Sequence, residues 1–215
     1  MEKFSILNSQ FSTILWDFDG VILNSMKIKG DGFVELFKDY DKKLVDQLEE
    51  YHYSNGGVSR FEKIQYFYHE ILKKDISEEE RLRLADKFAN IIEKKIFDKK
   101  NLIQDSLFFI EKNYKKYNFH IVSGAEDEEL NSLCKYFEID KYFISINGSP
   151  TKKDILVKNM FDKYNYNKNE TILIGDAITD FDAAVKNGIK FYGYNNLELK
   201  KYGNYIENFE GYFFE

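Results

Sequence analysis

Residues 13–25 read TILWDFDGVILNS, an apolar run that stops abruptly at two carboxylates, Asp17 and Asp19, two positions apart. Such a run suits a short buried strand whose carboxyl end presents both acids, and parallel α/β folds keep their ligand crevices at that end. Further runs rich in Ile, Val, Phe and Tyr predict strands near residues 12–18, 119–123, 142–147, 171–175 and 189–194. Helical patterns separate the later strands, as parallel crossovers require. The chain therefore reads as α/β, with a Rossmann-like parallel sheet core flanked by helices.

Roughly a hundred residues lie between the first and second predicted strands, where a simple connection needs only a few. An inserted domain is implied, and its pattern is helical. Phe61, Ile64, Tyr68, Ile71 and Leu72 recur at helix spacing, as do Leu84, Phe88, Ile91 and Ile92. Boundaries near 22 and 102 divide the chain into a core of residues 1–21 and 103–215 and a helical cap of residues 22–102.

Composition bounds the partners. The 215 residues are 43% hydrophobic and can bury a sizeable core. A net charge of −6, with lysines interspersed among acids, argues against a nucleic-acid surface, which needs clustered cations. No stretch of about 18 apolar residues offers a membrane span, and MEKFSILNSQF lacks the features of a secretory signal, so a cytoplasmic protein without membrane or nucleic-acid partners is expected. Cys134 falls at helical spacing with Leu130, Leu133 and Phe137 and reads as core. The aromatic tail Tyr205 to Phe214 suits packing on the core or a dimer contact, so monomer and homodimer both stay open.

Three later segments again close an apolar run with polar residues: FHIVSGA at 119–125, GSPTKKDIL at 148–156 and TILIGDAITDFDAA at 171–184. With the first run, their order and residue types resemble the DxD, Ser/Thr, Lys and GDxxxD motifs of the haloacid dehalogenase-like hydrolase superfamily. The resemblance spans nearly the whole chain, and the insertion matches the helical cap, of C1 type, that follows the first motif in one branch.

The residue chemistry agrees with phosphoryl transfer. A carboxylate needs no activating base at pH 7, so Asp17 suits the nucleophile, giving an aspartyl-phosphate that water later cleaves. Asp19 would serve as general acid and then general base, while Gly20 allows a sharp turn. Asp176 and Asp180 would converge on Asp17, and four carboxylates in one crevice call for a cation. An all-oxygen site favours Mg2+. The resemblance implies the Asp17 carboxylate, the Asp19 carbonyl and Asp176 as ligands, with Asp180 acting from behind; Asp182 reads as a solvated helix residue. Ser123 and the Gly124 amide, placed where the second strand gives way to a helix, could hold phosphate oxygens or cap that helix, above the acidic run Glu126–Glu129. Lys152 and Lys153 both fit the lysine motif, and the family's GSP pattern picks Lys153 as the neutralising cation.

In the insertion, YHYSNGGVSRFEK at 51–63 resembles the substrate-specificity segment of β-phosphoglucomutase-like relatives. Arg60 there suits either a grip on substrate anion or hydroxyls, or a surface salt bridge beside a helix cap. His52, Asn55, Lys27 and Lys63 are weaker candidates, and His69 and His120 read as packing or surface residues. No HExxH or Cys/His cluster suggests zinc. The resemblance implies a Mg2+-dependent phosphatase of a small phosphorylated metabolite. A phosphosugar is favoured, and Asn24-Ser25 with the cap segment resembles relatives in bacterial surface-glycan pathways. A phosphomutase is the alternative, followed by a non-catalytic sensor of a phosphorylated metabolite; dehalogenation and lysine-assisted phosphonate cleavage rank lower.

Overall fold

β1 (Thr13–Trp16) is buried on both faces, as expected of a central strand in a parallel sheet covered by helices on either side. Ile14 and Trp16 point into one apolar cluster, with Phe109, Phe119 and Phe209, while Leu15 joins Val122, Met160 and Leu173 on the opposite face. In the computed structural model, which describes residues 11–212 and Phe214, five further strands complete the sheet. They are β2 (Asn118–Glu126), β3 (Ser145–Ser149), β4 (Thr171–Gly175), β5 (Lys190–Tyr194) and β6 (Asn204–Ile206). All neighbours run parallel in the order β3-β2-β1-β4-β5-β6. The winding reverses between β1 and β4, which opens a crevice beyond their carboxyl ends. Trp16 pairs with Ile174, so both chains leave the sheet at the same height. Residues 1–10 of the expected core lie outside the described residues.

Helices α1 (Met26–Leu36), α2 (Lys42–Ser54), α3 (Arg60–Tyr66) and α4 (Glu78–Ile96) form the segment between β1 and the core helix α5 (Gln104–Asn113). Ser77 caps α4 by accepting from Glu80 N at 3.2 Å, and Leu84, Phe88, Ile92 and Ile96 then repeat at four-residue spacing as its buried stripe. Phe33 packs on Phe88 with ring centres 4.3 Å apart, and Phe37 stacks on Phe67 at 4.0 Å. The helical pattern from Phe61 to Leu72 is one α-helix continued by a π-helical turn at Phe67–Ile71. The chain enters and leaves this helical segment side by side: Asn24 N donates to Asn101 O at 2.8 Å, and Ile103 N to Ile22 O at 2.9 Å.

Three elements depart from the sequence expectation. β2 runs on to Glu126, and α6 (Asp127–Tyr136) starts there because the Glu126 carboxylate accepts from the Glu128 and Glu129 amides. Ser123 and Gly124 therefore sit within an irregular stretch of strand and not at a helix N-terminus. β3 starts later than expected, since Asp140–Tyr142 form a 3-10 turn. β6 was not anticipated; beyond it Phe209 and Phe214 pack on Phe109 of the core, so the described part of the aromatic tail covers the sheet. Cys134 is buried in the core with Leu130 and Leu133. α7 (Lys153–Tyr164) and α8 (Ile178–Asn187) cover the other face. No helix among the described residues is long and apolar enough to cross a membrane.

His120 is fully buried on β2, with Nδ1 at 2.8 Å from Ser145 Oγ and Nε2 at 2.8 Å from Tyr166 OH. Burial, reinforced by the charge of Lys163, lowers its pKa to about 4. The neutral ring thus stabilises the fold fully above the ordinary histidine pKa of about 6.5, and the contribution is lost as pH falls toward 4. Denaturant unfolding at a series of pH values should show a decline below pH 6.5, with His120 supplying up to about 1.4 kcal/mol per pH unit. In His120→Gln that part of the slope should vanish; an unchanged slope would contradict the assignment.

Candidate active site

The chain turns sharply on leaving β1. Asp17 is 1% exposed; its backbone N donates to Ile174 O at 2.9 Å and its Oδ1 accepts from Phe18 N at 2.8 Å. Asp17 Oδ2 is buried and forms an ion pair with Lys153 Nζ at 3.0 Å. Gly20 has φ +76, and a Cβ there would overlap the Asp176 carboxylate, so only glycine permits this turn to pass so close to the end of β4. The loop after β5 ties both turns down: Asn195 Nδ2 donates to Gly20 O at 2.9 Å and Asn196 Nδ2 to Asp176 O at 2.8 Å.

Asp17, Asp176 and Asp180 each bring a carboxylate oxygen within 4.8 Å of the others. Asp180, in the first turn of α8, accepts from Ala177 N at 3.1 Å and pairs with Lys153 through its other oxygen. Burial and then the charges of Asp17 and Asp180 push the Asp176 carboxyl well above the usual carboxylate range. Asp180 is raised by burial and by Asp17, against the pull of Lys153. Burial would lower the Lys153 ammonium, but Asp17 and Asp180 outweigh it and raise its pKa. A hard divalent cation fits this donor set: the ligands are all oxygen, they lie within 4.8 Å of one another, and burial together with their shared charge raises Asp176. Asp180, with both oxygens engaged, stands behind Asp17 and Asp176.

Asp19 faces the inserted helices. Burial alone would raise its pKa, yet the ion pair with Lys29 and the hydrogen bond from Ser25 Oγ at 2.5 Å leave it lowered. Ser123 is buried on β2, two residues beyond the partner of Trp16, and its Oγ accepts from Ala125 N at 3.3 Å. Of the two candidate lysines, Lys153 reaches Asp17 and Asp180, while the Lys152 side chain is 71% exposed and approaches Glu62 at 3.7 Å. Asp182 is exposed.

The inserted segment lies directly over these residues. Ser59 caps α3, which puts Arg60 in its first turn. Arg60 is buried, forms an ion pair with Glu129 of α6 and lies 5.3 Å from the Phe88 ring centre, so it is not in a surface salt bridge. Thr179 Oγ1 donates to Gly56 O at 2.7 Å. The Gly57 carbonyl passes so close to Gly124 that any Cβ there would collide with it. Lys63 and His52 are buried in the same region, bonded to each other at 2.9 Å. Lys27 instead points outward to Asp31, and Asn55 bonds the Tyr51 carbonyl at the end of α2. His69 is part-exposed near Asp75.

Lys29, Ser25, Glu129, Thr179, Asn195 and Asn196 are the site neighbours that sequence reasoning left without a role. Each partner is distant in sequence or lies across a loop, so no periodicity marks them. Only the Asn195-Asn196 pair closing the β5 run carried a signal, since its polar residues follow a strand like those after β1 and β4.

A family described as haloacid dehalogenase-like hydrolase matches residues 14–194. No curated protein matches the sequence. Solved structures similar to this chain include a β-phosphoglucomutase from Clostridium difficile, at 21% identity and TM-score 0.72 over 95% of this chain and 94% of that one. A hydrolase from Pseudomonas syringae has 18% identity and TM-score 0.73, covering 92% and 94%. YfnB from Bacillus subtilis, described bound to magnesium and showing interdomain movement, has 18% identity and TM-score 0.68, covering 94% and 96%. At these identities the structural likenesses establish the fold.

Gly124→Ala should force the Gly57 carbonyl away and part the inserted helices from the sheet. Small-angle scattering should give a larger radius of gyration than wild type, with faster proteolysis in the 54–58 loop; unchanged values would show that the close approach does not hold the two together.

Proposed function

The chain belongs to the haloacid dehalogenase-like hydrolases, and we propose that within them it is a Mg2+-dependent phosphatase acting on a small phosphorylated metabolite, through an aspartyl-phosphate at Asp17. The observation that carries this reading is the Asp17 carboxylate itself, buried at the switch of the sheet with one oxygen held by the Phe18 amide and the other paired with Lys153. Both contacts orient the carboxylate for attack.

In the first step Asp17 attacks phosphorus and the bond to the leaving oxygen breaks, while Asp19 gives that oxygen its proton. Water then attacks the aspartyl-phosphate, Asp19 takes the water proton, and phosphate leaves with Asp17 restored. Lys29 and Ser25 hold Asp19 in the ionised form suited to the second step; its acid role in the first requires Lys29 to release it. Lys153 offsets charge on Asp17 and on the phosphoryl oxygens, which the Ser123 hydroxyl and the Gly124 amide would hold. Asp17, Asp176 and the Asp19 carbonyl, with Asp180 behind them, would hold Mg2+, which would supply charge neutralisation for the carboxylates and the phosphoryl group.

The helices of residues 22–102 act in this reading as a cap, hinged where Ile22–Asn24 pairs with Asn101–Ile103, that excludes water during transfer. A sugar-derived phosphomonoester, as in bacterial surface-glycan synthesis, is the favoured substrate. The Val58–Ser59–Arg60 turn over the site also supports a second reading, a phosphomutase, which would need a bisphosphate to sustain turnover.

Phosphate release from phosphosugars, polyol phosphates and nucleotides, with and without Mg2+, tests the proposal. Wild type should turn over at least one monoester without added bisphosphate, chelation should abolish release, and Asp17→Asn should lower kcat by at least about 1,000-fold. Turnover only with a bisphosphate would favour the mutase, and Asp17→Asn with wild-type activity would overturn both.

A further inference from the structure

Because Asp19 serves the leaving oxygen in the proposed reaction, on which this inference rests, the leaving group must enter where Asp19 lines a cavity of about 30 Å³, which has to widen as the inserted helices move to admit it. Lys29, Lys63 and Arg60 also line that cavity, together with the apolar side chains of Phe33 and Phe88. Lys29 is paired with Asp19 and Arg60 with Glu129. Lys63 is 3% exposed and, among the described residues, has no carboxylate within ion-pair distance. It meets instead His52 Nδ1 at 2.9 Å, while His52 Nε2 lies 2.9 Å from Met26 O.

That relay fixes the roles of the atoms. The Met26 carbonyl can only accept, so His52 Nε2 carries the hydrogen and Nδ1 accepts from Lys63. Burial and the neighbouring Lys63 charge keep the ring neutral, with a pKa lowered to about 3. Burial and then the nearby Lys29 charge lower the Lys63 pKa to about 7; as an ammonium it has three hydrogens and His52 takes one, which leaves two donors for an anion in the cavity that Phe33 and Phe88 also line. A buried cation without a counter-charge is costly, and an anion beside it in a dry cavity is bound strongly.

We propose that Lys63 recognises a second oxyanion on the leaving group, which narrows the sugar-derived class to monoesters whose leaving group is itself an acid, a sugar acid or a sugar phosphate, and not a neutral sugar or alcohol. Lys63 is then a specificity-determining residue. His52 aims it, and Phe33 and Phe88 limit the space around it.

Matched pairs decide the matter. Gluconate 6-phosphate and sorbitol 6-phosphate differ in one carboxylate, as do glycolate phosphate and ethylene glycol phosphate; glucose 1,6-bisphosphate against glucose 6-phosphate separates a second phosphate from a carboxylate. Binding is measured by calorimetry on the Asp17→Asn protein with Mg2+, which reads the cavity apart from turnover, and phosphate release is measured on wild type. At least one charged member should bind at least about tenfold tighter than its neutral twin. The preference should disappear in Asp17→Asn carrying Lys63→Met and also in Asp17→Asn carrying Lys63→Gln, which keeps a hydrogen-bond donor without the charge. Equal affinity within every pair, or a preference that survives both substitutions, would overturn the proposal. A Lys63-dependent binding preference with no phosphate release from any wild-type assay would support the cavity assignment while overturning the phosphatase reading, and failure to bind any of the compounds would overturn both.

Discussion

Charge crowding at the junction of β1 and β4 governs this molecule. Asp17, Asp176 and Asp180 meet within 4.8 Å, and Lys153 reaches Asp17 and Asp180 from the start of α7. Carboxylates do not share a buried space without compensation, so the turns bearing them must be held from outside. Asn195 and Asn196 do this from the β5 loop, and Gly20 makes room for Asp176 by lacking a side chain. The apolar clusters on both faces of the sheet supply the rigidity against which this repulsion is held.

The inserted helices complete a second layer of charge. Arg60 and Glu129 join α3 to α6, Lys29 reaches Asp19, and Thr179 holds the Gly56 carbonyl. Each contact crosses between the insert and the sheet side of the molecule. The same few residues that cover the acids therefore also link the two parts. A substrate that reorganised Lys29 or Arg60 would change both at once.

Strand positions were legible because β-branched and aromatic runs end sharply in polar residues, and the acids at those ends fall together once parallel order is assumed. The long gap after β1 was equally plain as a helical insertion. β6 escaped because Asn204–Ile206 is three residues long and is a strand only through its pairing with β5. The helix start near Ser123 was misplaced because a single side chain, Glu126, sets it three residues later. Lys29 and Glu129 could not be found by spacing, since their partners are brought to them by the fold. Arg60 was singled out from its segment, but its burial against Phe88 and pairing with Glu129 depend on α4 and α6 together.

In the proposed reaction Asp17 carries the phosphoryl group. Rapid acid quench of a single turnover with a 1:1 mixture of protein, Mg2+ and a turned-over monoester, followed by peptide mass analysis, tests it most directly. One added phosphoryl group should appear on the peptide containing Asp17, rise and then decay within the turnover, and be absent in Asp17→Asn. Phosphate release with no modified peptide at any time, or modification at another residue, would contradict it.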